Sequence, residues 1–170
     1  LDKKTLVVTR DGSDRVVDYT GVVIEGYGST FEEETPQDRD GDRVLPGAFT
    51  ATLAQFKTNP VMLVNHANDV HQIAGSFSKV GTDRIGLAIT GNVSDAPDMQ
   101  SVRFKIVEGH LKSLSMGGMF FWDENDWFAI ERVDLWEISL IAIPANPDAL
   151  FQLRSITVED VKAQMRYLAK

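Results

Sequence analysis

Residues 133–143, VDLWEISLIAI, read as the most apolar strand of the chain and run into Pro144. By the two-residue period of a strand, Leu135, Glu137, Ser139 and Ile141 share one face and Trp136, Ile138 and Leu140 the other. Either face reads as largely buried. A strand covered on both sides needs further layers around it, so this segment alone argues for a sheet with packed partners. It also poses a chemical problem. An unpaired carboxylate among such neighbours costs several kcal/mol or takes up a proton. Glu137 therefore needs a partner, a histidine or a set of donors, unless its face is a solvated one.

The remaining segments are short. Residues 5–10 and 15–19 flank the turn-rich Asp11-Gly12-Ser13-Asp14, a hairpin pattern, and 21–27 is a third apolar stretch. Phe49, Leu53 and Phe56 make a helical stripe that opens near Pro46 and stops at Asn59-Pro60. Residues 61–64 read as a buried strand, and 72–80 and 84–92 as two more. A second helix is expected over 97–108, with Pro97 in its first turn and Gly109 as its stop. Residues 111–121 read as a strand interrupted by Gly117-Gly118. Val158, Val161, Met165 and Leu168 predict a last amphipathic helix capped by Thr157. There is no strict βαβ alternation. The pattern predicts a mainly antiparallel sheet, closed into a barrel or sandwich, with helices packed outside.

Composition narrows the chemistry. The 170 residues contain no cysteine, which excludes disulfides, thiolate metal sites and a cysteine nucleophile. A net charge of −8 with no basic patch argues against nucleic acid as a partner. No apolar run approaches the roughly 18 residues of a membrane span. Leu1-Asp2-Lys3-Lys4 has neither an initiator methionine nor a signal-peptide stretch, so a processed or trimmed chain is expected.

The candidates for chemistry are few. Of three histidines, His66 ends an apolar strand, a rigid mount for a base, whereas His71 lies in a polar loop and His110 at a turn. Among ten serines, Ser115 is set apart by the Met116-Gly117-Gly118 that follows it. Small residues there leave room for a substrate backbone and free N–H groups; the structural alternative is a glycine bulge. Asp38-Arg39-Asp40-Gly41-Asp42 starts like a calcium loop, but its glycine falls at position 4 and position 12 is Phe49, so it reads as a turn. His66 and His71, five apart beside Asp69, lack the spacing of a helical zinc pair, and no metal or other cofactor is expected.

Five stretches taken together resemble the prohead (procapsid maturation) proteases of tailed phages, of the HK97 type, a family distantly related to the herpesvirus assemblins. They are Asp40-Gly41-Asp42-Arg43-Val44-Leu45-Pro46-Gly47-Ala48-Phe49, Val61-Met62-Leu63-Val64-Asn65-His66, Leu111-Lys112-Ser113-Leu114-Ser115-Met116-Gly117, Leu135-Trp136-Glu137-Ile138-Ser139-Leu140 and Pro144-Ala145-Asn146-Pro147-Asp148-Ala149. The resemblance covers residues 20–153. It implies α+β architecture around an antiparallel β-barrel like that of herpesvirus proteases, a protease domain over 1–153, and a C-terminal helix or extension over 154–170. It implies a serine endopeptidase that cleaves scaffold or capsid segments inside an assembling procapsid in the host cytoplasm. Self-cleavage and a homo-oligomer are further expectations. The family's serine falls on Ser115 and its histidine on His66. The acid falls on Glu137, with Asp134 the alternative. The Asp-Gly-Asp and Pro-Gly-Ala-Phe motif is expected to be structural. No arginine pair follows Glu137 to match the assemblin oxyanion loop, which leaves the N–H groups near Met116 and Gly117 as candidates. The rival reading is a β-rich, capsid-associated structural or scaffold-binding domain without catalysis.

Overall fold

In the computed structural model the described residues are 5–154 and 156–157. Strands β1 (Thr5–Arg10) and β2 (Val16–Thr20) form the expected hairpin. Asp11 Oδ1 organises its turn by accepting the N–H groups of Ser13 at 2.9 Å and Arg15 at 3.1 Å. Strand β11 (Ile156–Thr157) pairs with β1 in parallel and completes a three-stranded sheet. Thr157 is thus part of a strand rather than a helix cap. The amphipathic helix expected beyond it lies outside the described residues.

The second sheet holds the site. It comprises β3 (Val23–Thr30), β4 (Arg43–Val44), β5 (Val61–Val64), β6 (Ile73–Thr82), β7 (Gly86–Val93), β8 (Ser113–Asp123), β9 (Asp126–Ile141) and β10 (Phe151–Leu153). Their order is β10-β3-β7-β6-β5-β9-β4, with β8 paired to β9. The fold is mainly β, as expected, but the sheet is mixed. Strands β5 and β4 both run parallel to β9, against residues 138–140 and 129–130, while β8 takes the other edge of β9 antiparallel. The named strands follow an open path and not a closed ring. At its seam, Ser113 bridges Leu150, and the Leu114 N–H donates to the Ala149 carbonyl at 2.8 Å.

One contiguous apolar core includes Ile24, Phe49, Met62, Leu87, Leu114, Val133, Ile138 and Leu140. Burying such side chains contributes roughly 1.5–3 kcal/mol each. The stripe Phe49, Leu53, Phe56 faces this core, yet only Leu53–Phe56 is helical, as α1. Before it the chain runs through successive tight turns, in which Ala48 bonds back to Leu45 and Thr50 to Gly47, the latter glycine at φ 91°. The buried Thr52 hydroxyl then accepts the Leu135 N–H at 2.9 Å and ties this segment to β9.

The second helix appears where expected, as a 3-10 turn at Pro97–Met99 followed by α2 (Gln100–Val107). It buries an unexpected residue, Arg103, which is fully inaccessible. The guanidinium grips both Asp18 oxygens, at 2.9 and 3.0 Å, and the carbonyls of Tyr19, Ser94 and Ala96. A buried guanidinium is tolerated only with such a full set of acceptors. It clamps the N-terminal hairpin to α2.

Candidate active site

The end of β5 presents His66. Asn65 and His66 both adopt the left-handed conformation, at φ 55° and 56°. Asn and His enter that region more readily than most residues, but each such residue still costs on the order of 1–3 kcal/mol. Bonds to β9 hold the turn in place. The Asn65 N–H donates to the Leu140 carbonyl at 3.1 Å and the His66 N–H to Ser139 Oγ at 2.9 Å.

This turn swings the imidazole over Glu137, whose Oε1 lies 2.5 Å from His66 Nδ1. The Ser139 hydroxyl donates to the other carboxylate oxygen, Oε2, at 2.6 Å. The buried Glu137 therefore has the partners that its apolar strand demanded. A carboxylate only accepts, so the proton of the histidine bond sits on Nδ1 and Nε2 is left as an acceptor. The bond to Glu137 raises the His66 pKa above its ordinary 6.5; burial opposes the rise and the nearby negative charge adds to it.

Ser115 lies on β8 directly opposite Ser139 of β9. It lines a cavity of about 590 Å³ whose wall also includes His66, Met116, Phe120, Arg39 and Asn146. Ser115 and His66 share this wall without a hydrogen bond between them. Ser113, two residues earlier, is instead buried opposite Ile141 at the seam with Leu150.

The glycine pair lines open space beside His66 and also makes room for the site's own carboxylate. Gly117 faces Glu137 across the ladder, and a Cβ there would run into the Glu137 carboxylate. Gly118 faces Leu135, so Trp136 has no opposite residue on β8. The site thus sits on a β-bulge, a feature enriched beside active sites because it re-aims side chains. The bulge also breaks the alternation along β9. Trp136 is 62% exposed, where its face was expected to be buried, while Leu135, Glu137 and Ile138 are all buried in succession or nearly so.

The other sequence candidates lie elsewhere. Asp134 is half exposed, 3.7 Å from Arg132, on the far side of the bulge from Glu137. His71 is exposed and its N–H donates to Asp69 Oδ1; His110 is exposed beside Glu108. No group of three or more His, Asp or Glu among the described residues is placed to hold a metal ion. The loop at 38–42 is a turn, with Asp38 Oδ1 accepting the N–H groups of Asp40 and Asp42, each at 2.9 Å. It nevertheless lines the Ser115 cavity, with Arg39 bonded to the Pro144 carbonyl. Sequence reasoning missed this, and no local signal carries it. It also gave Ser139 no role, although a hydroxyl two residues after a buried carboxylate on the same face is a visible cue.

A model of the family described as Caudovirus prohead serine protease matches residues 10–164. The prohead protease of Escherichia phage T5 is 30% identical over 140 residues, 78% of this chain and 63% of that protein. The prohead protease of Enterobacteria phage HK97 is 27% identical over 180 aligned positions, 98% of this chain and 74% of that protein. The chain therefore spans somewhat less than two thirds of the T5 relative's length. Among solved structures, varicella-zoster virus protease superposes with a TM-score of 0.50 at 13% identity, over 87% of this chain and 75% of that one. At that identity the likeness is one of fold.

Proposed function

The chain belongs to the family of Caudovirus prohead serine proteases, and from that premise we propose that it is a serine endopeptidase acting through Ser115, His66 and Glu137. The observation that carries this reading is the 2.5 Å bond from His66 Nδ1 to Glu137, made in the wall of the cavity that Ser115 lines. His66 Nε2 takes the proton from Ser115 Oγ as the oxygen attacks the scissile carbonyl. Glu137 holds the productive tautomer and stabilises the imidazolium. The imidazolium returns that proton to the leaving amine, and a water, deprotonated by the same ring, hydrolyses the acyl-enzyme. Ser139 acts through Glu137: it fixes the carboxylate with its hydroxyl and the His66 backbone with its lone pair.

The substrates in this reading are scaffold or capsid protein segments, cut inside the assembling procapsid in the host cytoplasm. Self-cleavage and a homo-oligomer belong to the same reading, as does division into a protease domain over 1–153 and an extension over 154–170. So does barrel closure, which the bridge from Ser113 to Leu150 supports by joining β8 to the segment that enters β10.

The experiment is labelling with a fluorophosphonate, followed by peptide mapping, alongside co-expression with the cognate capsid protein. Labelling at Ser115, and its loss together with capsid processing in Ser115→Ala, is the expected result. An unlabelled wild type, or processing that continues in the variant, sinks the reading and favours a structural domain. The intact mass of wild type, compared with Ser115→Ala over days at high concentration, reports self-cleavage.

A further inference from the structure

A second cavity, of about 700 Å³, adjoins the first and shares His66, Met116 and Phe120 with it. Leu63, Val70, Ile73 and Trp136 line it, and three of these are left in solvent: Val70 is 74% exposed, Trp136 62% and Ile73 40%. The acidic groups at its edge are committed. Both Glu137 oxygens are bonded to His66 and Ser139, and Asp69 Oδ1 caps the turn at His71. The cavity therefore offers exposed apolar surface beside a few polar groups, Asn59 and Asn68 among them, the combination usual in ligand pockets.

The backbone that carries Trp136 is anchored before anything binds. Trp136 is the bulge residue of β9, and its neighbours on either side are anchored, Leu135 by Thr52 and Glu137 by His66 and Ser139. A tryptophan side chain on anchored backbone has few rotatable bonds left to order on contact, which suits it to an anchoring role.

We propose that this cavity is the specificity subsite of the enzyme: it takes a bulky apolar side chain of the peptide substrate, Leu, Met or Phe, within a few residues of the scissile bond, and Trp136 is the residue that selects it. The inference rests on the serine-protease reading, since it is the sharing of His66 that makes the cavity part of the peptide's path. A peptide crossing from the Ser115 cavity over His66 has this apolar pocket next in line.

The test uses fluorescence-quenched octapeptide mixtures, each fixed at one position, digested by the full chain as wild type, Trp136→Ala, Trp136→Phe and Trp127→Ala. The last residue is exposed at the far end of the β8–β9 hairpin and lines neither cavity. In wild type, kcat/KM at one position favours Leu, Met or Phe over Asp by about 10- to 100-fold, the scale of discrimination that a filled apolar pocket gives. Trp127→Ala keeps that preference, Trp136→Phe keeps most of it, and Trp136→Ala flattens it to within about threefold. Undiminished fluorophosphonate labelling of Ser115 in Trp136→Ala shows that the loss is one of selection and not of folding. A wild type that cuts without apolar preference, or that labels at Ser115 and cuts none of the apolar mixtures, overturns the proposal, as does a preference that survives in Trp136→Ala. A wild type whose Ser115 does not label overturns the reading beneath it.

Discussion

Replacing Glu137 with glutamine tests the acid of the proposed triad with little change of shape. The carboxylate makes two bonds, from His66 Nδ1 to Oε1 and from the Ser139 hydroxyl to Oε2. An amide has one oxygen and one NH₂ group. If the NH₂ took the place of Oε1, it would confront Nδ1 and force the proton to Nε2, the wrong tautomer for a base. If it took the place of Oε2, it would meet Ser139 Oγ, and that hydroxyl can turn to accept. The second arrangement keeps the proton on Nδ1 but deprives the buried Ser139 O–H of its acceptor, so the tautomer survives in part of the population and the negative charge is the main loss. Amide replacement in a well-studied triad lowers turnover by about 10⁴, largely through the tautomer. Here kcat/KM is expected to fall by about 10² to 10⁴, with the alternative bonding of Ser139 favouring the lower end, near 2.7 kcal/mol at about 1.36 kcal/mol per tenfold. The pH profile supplies the independent readout. The base is the neutral ring, so activity climbs as pH rises through the His66 pKa, which the Glu137 bond holds above 6.5. Without that bond the climb moves to lower pH while the plateau drops. Turnover of a reporter peptide between pH 5 and 9, with circular dichroism as the folding check, measures both. Asp134→Asn, at its exposed site beside Arg132, is expected to stay within about tenfold of wild type. A crippled Asp134→Asn beside a near-normal Glu137→Gln whose profile does not move would refute the assignment of the acid.

The same raised pKa has a stability consequence: the protonated His66–Glu137 pair favours the fold below about pH 6.5, and its contribution fades as pH rises through the folded-state value, visible as a pH-dependent melting difference between wild type and Glu137→Gln. Gly117→Ala should lower kcat/KM by about 10²-fold, because the new methyl displaces the carboxylate opposite it. Gly81→Ala, where a methyl meets open space, is the comparison, and equal activities would count against the role given to Gly117. Arg103→Met should destabilise by about 3–5 kcal/mol in urea unfolding, since it strips Asp18 and three carbonyls of their shared donor. A loss under about 1 kcal/mol would mean that the clamp is idle.

Strand identities were legible because short apolar runs between turn residues leave few alternatives. The demand of Glu137 for a partner was legible too, because the cost of a bare carboxylate does not depend on the fold. Other features depend on contacts distant in sequence. Nothing near Arg103 announces Asp18, 85 residues away, so a charged residue on a helix face reads as solvated. The parallel pairing of β5 with β9 is a matter of chain path, which local period cannot encode. Phe49, Leu53 and Phe56 have helical spacing and are all turned toward the core, yet turns at Gly47 satisfy the same burial without a long helix. Alternation along 133–143 misplaced Trp136 because one inserted residue reverses the phase of Val133–Leu135 relative to Glu137–Ile141.

That inserted residue separates the frame of β9 that carries the acid from the one before it. Residues 137–141, with Glu137 and Ser139, keep step with Ser113–Gly117; residues 132–135 keep step with Gly118–Phe121 at a different count, and the ladder shifts again beyond them. Insertions and deletions in this family of sequences should therefore obey a parity rule. Removing Trp136 alone would join residues 132–141 into one register and at the same time carry either Glu137 and Ser139 or the core residues Val133 and Leu135 to the wrong face. The hairpin turn between Asp123 and Asp126 is free of that constraint, so lineages can lengthen the tip while the bulge stays at a fixed distance from the acid.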